Sequence, residues 1–200
     1  MKLIKKTLYR IAQFYDLRKV GENGRFGFRR SSDLMDLYNC LDVMLNTGII
    51  VPEKSVFLDI GCADGRVNLF FSYITKASIG IELDDWSLDE YKILLKQLIP
   101  ILTTEELLLP RNNIYLFNGD VFDCSLYEKI RDTTGFGIED FDIFYTYLMM
   151  CEEFAEIIRK KGKKGSIFII YGLGKNSIHF TGFEFINRFP LSRIGIYKKL

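Results

Sequence analysis

Two hundred residues suit one domain with a sizeable core, and a hydrophobic share of 48% with 14% aromatics excludes a disordered chain. The formal net charge of +1 names no partner, but residues 1–30 hold nine Lys or Arg against Asp16 and Glu22, a local net of +7 that leaves −6 for residues 31–200. The four cysteines, Cys40, Cys62, Cys124 and Cys151, form no C-x-x-C pair, and no apolar run approaches the roughly 20 residues of a membrane span.

In chain order, residues 2–19 place Ile4, Leu8, Ile11 and Tyr15 at helical spacing, with Lys5, Lys6, Arg10 and Arg18 mostly elsewhere on the wheel. Two readings stay open: a cap helix packed on the domain, or a basic surface for RNA, anionic lipid or an acidic protein. The lysines lack the apolar core and small-residue cleavage site of a secretory signal, so the expectation is a reducing, cytoplasmic setting with free thiols. Gly21 to Arg30 interleaves glycines with Arg25, Phe26, Phe28, Arg29 and Arg30, which fits a flap over a ligand as well as a loop with cation–π packing. Residues 1–30 are therefore read as a basic helix plus flap, and residues 31–200 as the main domain. Ser31 or Ser32 can N-cap the next helix, with Asp33 and Asp36 in its first turn. Leu34, Leu37, Tyr38, Leu41, Met44 and Leu45 form its apolar stripe, and Thr47-Gly48 ends it.

The informative stretch follows Pro52. Val56-Phe57-Leu58-Asp59-Ile60 is an apolar run ending beside an acid, Gly61-Cys62-Ala63-Asp64-Gly65 is a glycine-bearing turn, and Arg66-Val67-Asn68-Leu69-Phe70-Phe71 reads as the start of a helix. A strand buried on both faces, a turn open to a close ligand and a helix N-terminus together make a nucleotide-type site. The dinucleotide fingerprint G-x-G-x-x-G would need glycine at Gly61, Ala63 and Arg66, and it fails at two of the three. One helix length on, Ser78-Ile79-Gly80-Ile81-Glu82-Leu83-Asp84 is a second apolar run ending in a carboxylate. Asp85 can cap a helix carrying Trp86, Leu88, Tyr91, Leu94, Leu95 and Leu98, which Pro100 is expected to end. Thr103-Thr104-Glu105-Glu106 predicts a short extra helix stopped at Pro110.

A third strand at 113–117 runs into Asn118-Gly119-Asp120-Val121, and a helix is expected from Ser125 to Arg131. Phe141 to Tyr147 reads as a strand, Glu152 to Lys161 as its helix, and Ser166 to Tyr171 as a further strand. The gap from Gly172 to Thr181 is too short for a crossover helix, so Phe183–Phe189 and Arg193–Tyr197 are expected to close the sheet as an antiparallel pair. No repeat or low-complexity segment interrupts the chain.

Asp59-x-Gly61-x-Ala63-x-Gly65 resembles the first motif of class I S-adenosylmethionine-dependent methyltransferases, with Ala63 in place of the middle glycine. That resemblance implies an α/β, Rossmann-like, doubly wound, mostly parallel seven-strand sheet with an antiparallel last strand, preceded by N-terminal helices. It also implies S-adenosyl-L-methionine as cofactor and no metal. Asp59, Gly61, Cys62 and Gly65 would meet its methionine part, Glu82 and Leu83 its ribose, and Asp120 and Val121 its adenine. The strand end Phe144-Tyr145-Thr146-Tyr147-Leu148-Met149-Met150 lacks the (N/D)-P-P-(Y/F/W) motif of base amino-methyltransferases. Over residues 29–200 the layout looks like the small seven-strand protein-lysine methyltransferases of the non-SET type, through D-I-G-x-x-D-G-R, G-I-E-L at 80–83 and Met149-Met150. The expected reaction is methyl transfer to an amine acceptor, a protein lysine first, with RNA as the alternative substrate and a cofactor-binding scaffold without turnover as the alternative class. Tyr145 and Tyr147 are candidates for the acceptor pocket or for the core, and His179, the only histidine, for a general base. A lone histidine excludes any site that needs more than one, a multi-histidine zinc site among them.

Overall fold

A computed structural model describes residues 1–18, 31–173, 178–186 and 193–200, together with the backbone of a two-residue ladder, β1 (Asn23–Gly24) and β2 (Gly27–Phe28). The rest of the Gly21–Arg30 flap lies outside the described residues, as do residues 187–189 of the expected strand 183–189.

Seven strands form the central sheet: β3 (Val56–Ile60), β4 (Ala77–Glu82), β5 (Ile114–Asn118), β6 (Ile143–Tyr147), β7 (Ile167–Tyr171), β8 (Phe183–Phe185) and β9 (Ile194–Lys199). Their spatial order is β5-β4-β3-β6-β7-β9-β8. The first five are parallel, and β9 pairs antiparallel with both β7 and β8, as the short gap after Tyr171 predicted. β3 lies between β4 and β6, so the chain order reverses beside it and a crevice opens at the carboxyl ends of these strands.

Both faces of β3 are buried, which is why its sequence is an unbroken apolar run around Asp59. On one face lie α1 (Lys2–Asp16), α2 (Leu34–Asn46), α3 (Arg66–Ser72) and α4 (Asp85–Thr104), sharing a core with Phe57, Ile143, Tyr145 and Tyr171. Phe57 stacks on Phe71 of α3 with ring centroids 4.1 Å apart. On the other face, α5 (Cys124–Thr134) and α6 (Cys151–Lys161) pack on Leu58, Ile60, Ile79, Ile81, Phe144 and Phe168. A single 3₁₀ turn, Ile138–Asp140, precedes β6.

Five local expectations are corrected. Helix α4 does not end at Pro100 but runs through it to Thr104, and no separate helix forms at 103–106. A mid-helix proline costs about 3 kcal/mol. Leu98 and Leu102, one turn apart and both fully buried, offset it at about 1.5–3 kcal/mol each, so tertiary burial overrides the local signal. The first helix ends at Asp16 rather than 19, and neither serine caps the second. Asp33 occupies the N-cap without a capping hydrogen bond from its side chain, while both oxygens of Asp16 accept from the Leu34 and Met35 N–H groups at 2.8 Å. Ser31 and Ser32 are directed elsewhere, to Arg66 and Tyr145. Helix α5 runs three residues past Arg131 before Gly135, at φ 78°, accepts the left-handed conformation that ends it.

The basic N-terminal helix is tied to the domain along its length. Leu8, Ile11, Ala12 and Tyr15 are fully buried, and Lys5, Arg10 and Arg18 form ion pairs with Asp42 (2.5 Å), Glu105 (2.7 Å) and Glu90 (3.8 Å). Asp16→Ala removes two charge-assisted caps from α2 and is expected to lower stability by about 1–2 kcal/mol, read as a lower denaturation midpoint at unchanged slope.

Candidate cofactor site

The turn after β3 is folded onto the end of β4. The Gly61 and Cys62 N–H groups both donate to the Ile81 carbonyl at 2.9 and 3.0 Å, and the Gly65 N–H donates to the Cys62 carbonyl at 2.8 Å. Gly61, Ala63 and Gly65 all have positive φ, at 83°, 47° and 70°. Their side-chain spaces differ. A Cβ on Gly61 would enter open space, so this backbone is approachable from the crevice, whereas one on Gly65 would lie 2.8 Å from Tyr91 and 3.0 Å from Leu116. Gly65 is thus required by packing as well as by conformation. Ala63 pays the left-handed penalty of about 1–2 kcal/mol, and its N–H is held at 2.8 Å by Glu82 Oε2.

Three carboxylates gather here. Glu82, at the end of β4, bridges the Ala63 N–H and, through Oε1, the Asp84 N–H at 3.0 Å. Asp64 is buried and bonded on both oxygens by Arg66, with Nη2 to Oδ2 at 2.7 Å and Nε to Oδ1 at 3.0 Å. The Arg66 guanidinium, itself 3% exposed, also donates to Ser31 Oγ at 3.1 Å and lies 5.2 Å from the centre of the Tyr15 ring. Asp59 is different. It is 2% exposed, and no described residue donates a hydrogen bond to its carboxylate. Burial, then the charges of Glu82 and Asp64, hold its pKa well above the usual carboxylate range. Cys62 is buried with its thiol pushed up by desolvation, and its sulfur fills the space over Gly80.

The crevice continues across β4 and β5. The Asn118 side chain donates to the Glu82 and Leu83 carbonyls at 3.1 and 3.0 Å, clamping the two strand ends together. Leu83 is exposed, as is Asp120, whose Oδ1 accepts from the Phe122 N–H at 2.9 Å. Val121 beside it is buried, and Phe122 is exposed but stacked on Phe154. The eight residues assigned to a cofactor from sequence therefore all lie on the carboxyl ends of three adjacent strands, β5, β4 and β3.

The three acceptor-side candidates are not brought together. Tyr145 is sealed in the core against Phe57 and Phe71, with its hydroxyl 2.5 Å from Ser32 Oγ, so it is a core aromatic rather than a pocket wall. Tyr147 is half-buried at the strand end, its ring 5.6 Å from that of Tyr171. His179 is exposed. Its neighbour Ile178 donates to the hydroxyl of Tyr197, which pairs with Phe168 in the lower half of β7, and the chain then descends to Phe183 beside Lys199. Arg66 and Ser31 were not among the site residues expected from sequence. The D-G-R spacing after the turn is the signal that could have marked Arg66, since it puts a guanidinium within reach of Asp64.

No family model matches this chain, and no curated protein matches it by sequence. Solved structures do match it in three dimensions. The tRNA methyltransferase TrmI from Aquifex aeolicus aligns with 97% of this chain and 76% of its own, at 11% identity and a TM-score of 0.58. The rRNA methyltransferase aviRa from Streptomyces viridochromogenes aligns with 90% of this chain and 91% of its own, at 12% identity and a TM-score of 0.57. The likeness is one of fold, the Rossmann-like seven-strand fold of class I methyltransferases. Among the described residues no His, Cys, Asp and Glu group could hold a metal ion, and no helix is long and apolar enough to cross a membrane.

A carboxyl group whose pKa is raised by folding favours the folded state below its ordinary pKa, and loses that contribution as pH rises toward the folded value. Ligand-free protein should therefore lose stability relative to Asp59→Asn as pH rises above about 4, by at most about 1.4 kcal/mol per pH unit. Thermal melts of both proteins across pH 4–9 read this directly, and parallel curves would refute it.

Proposed function

We propose that this protein is an S-adenosyl-L-methionine-dependent methyltransferase that acts on an amine acceptor, a lysine side chain of a protein being the acceptor that fits best. The observation that carries the cofactor reading is the row of acidic positions at the ends of β3, β4 and β5, with the buried Asp59 carboxylate left without a donor among the described residues. A ligand bearing positive charge beside a ribose and an adenine would use each of them. Asp59 would face the cationic part over the open backbone at Gly61, Glu82 would accept from ribose hydroxyls, and Asp120 from the adenine amino group.

When bound, this cofactor supplies a methyl group already activated as a sulfonium. The chain's own residues then have to hold the acceptor in line and exclude water, and such positioning alone can supply about 7–11 kcal/mol. No dedicated acid or base is required beyond one that takes the acceptor's proton.

Two features of the acceptor side favour a protein amine. Tyr147, half-buried, ends β6 against the buried Tyr171, whose hydroxyl donates to Asp36, and Asp33 and Asp36 share Arg193 as counter-ion, so the described residues there are net acidic. Next to it Leu148, Met149 and Met150 are exposed apolar residues. Against RNA, Lys5, Arg10 and Arg18 of the basic N-terminal segment are spent on ion pairs within the domain. The second reading, RNA as substrate, draws its support from the RNA-acting neighbours of like fold.

Calorimetric titration with S-adenosylmethionine should show binding that weakens about 10–150-fold in Glu82→Ala and in Asp120→Ala, since each variant removes a charged hydrogen-bond acceptor. No binding by folded wild-type protein would sink the enzyme reading. Transfer of labelled methyl to polypeptide, rather than to RNA in a salt-sensitive manner, would decide between the two acceptors.

A further inference from the structure

Resting on the cofactor reading above, we propose that Asp59 is a specificity-determining residue that makes the site prefer the positively charged methyl donor over its uncharged-sulfur product, by ionising when the donor binds. The geometry that requires this is the carboxylate's isolation. It lies at the end of β3 with almost no solvent contact and no donor among the described residues. The titratable groups facing it are Glu82 from β4, Asp64 and Cys62 from the turn, and Tyr145 from β6. The one nearby cation from α3, Arg66, is already bonded through both of its forks to Asp64 and Ser31. Among the described residues, the charges that act on Asp59 are those of Glu82 and Asp64, and both oppose a negative charge on it.

In the ligand-free protein Asp59 therefore keeps its proton above the usual carboxylate range. A ligand carrying positive charge reverses the balance, because its field in a dry crevice favours the carboxylate. The step is a simple ionisation: the Asp59 O–H breaks, the proton goes to buffer, and the carboxylate stays opposite the ligand. Donor and product share their amino-acid, ribose and adenine groups and differ by one methyl and one positive charge at sulfur. That extra charge lowers the Asp59 pKa further in the donor complex than in the product complex. Affinity for the donor then rises with pH between the bound and free pKa values of Asp59. The ratio of donor to product affinity rises in the window between the two complexes, by up to about tenfold per pH unit. Exchange of product for fresh donor is thereby favoured by the pocket's own charge.

Isothermal titration with S-adenosylmethionine and S-adenosylhomocysteine at pH steps from 5 to 9, each in two buffers of different ionisation enthalpy, tests this on the wild-type protein alone. The expected result is net proton release on donor binding, smaller release on product binding, and an affinity ratio that climbs with pH. Asp59→Asn, checked by its melting curve, should still bind but with a flat ratio and no proton release. Donor binding without proton release, or the same climbing ratio in Asp59→Asn, would overturn the inference while leaving the cofactor reading intact. Absence of any binding would instead refute the cofactor reading.

Discussion

Charge at the carboxyl ends of β3 and β4 is the constraint around which one whole face of this molecule is arranged. Three carboxylates, Asp59, Asp64 and Glu82, meet one guanidinium, Arg66, in a place with little solvent. At effective dielectric constants near 20, like charges a few ångströms apart repel by several kcal/mol, so they persist only where each is separately accommodated. Asp64 is neutralised by Arg66, Glu82 is spread over the Ala63 and Asp84 backbone N–H groups, and burial holds the pKa of Asp59 above the usual carboxylate range. Removing one partner of the buried Asp64–Arg66 pair would expose the neighbours to an uncompensated charge, which is costlier than the pair's own worth.

This arrangement explains why the N-terminal helices belong to the site's framework. A buried guanidinium needs partners for its remaining donors and a surface to lie on, and both come from outside the sheet. Ser31 takes one donor and Tyr15 of α1 supplies the ring. The same short linker sends Ser32 to the Tyr145 hydroxyl, so residues 31–33 stitch α1, α2, α3 and β6 together. Asp16 completes the join by capping α2 from the end of α1. The domain's negative net charge is met by the helix's positive one through Lys5, Arg10 and Arg18. Exposed pairs of this kind contribute little each, so the buried apolar stripe of α1 is what holds it, and the charges set its register.

What could be read from sequence alone follows from what is local. Parallel strands buried on both faces give continuous apolar runs, so β3, β4, β5, β6 and β7 were all visible, and the shortness of the segment after Tyr171 announced the antiparallel closure. The cofactor-side residues were visible because a turn, a strand end and a spacing locate them without tertiary information. Properties that depend on a distant partner were hidden. Pro100 looks like a helix terminator until Leu102 is seen to be buried. Ser31 and Ser32 have ideal capping chemistry, yet a carboxylate fifteen and more residues earlier in the chain caps that helix, which frees both hydroxyls. Tyr145 and Tyr147 share a face of β6 by alternation, but Ser32 covers the first and leaves the second at the rim. His179 follows β7 closely in sequence, whereas its neighbours Ile178 and Phe180 contact Tyr197 of β9 and Phe168 near the start of β7.

Left-handed residues show where stability has been given up for shape. Among the described non-glycine residues, four have positive φ, and two of these, Ala63 and Met150, stand at the carboxyl ends of β3 and β6 on either side of the crevice. Each costs about 1–3 kcal/mol unless its surroundings hold it. Glu82 holds Ala63 through the N–H, and the Phe154 N–H bonds the Met150 carbonyl to start α6. Asp59, buried and without a donor among the described residues, lies at the same strand ends as these two left-handed residues. Strain and isolated charge both fall when a complementary ligand supplies the missing contacts, so the crevice is poorest in stability where it has the most to gain from binding.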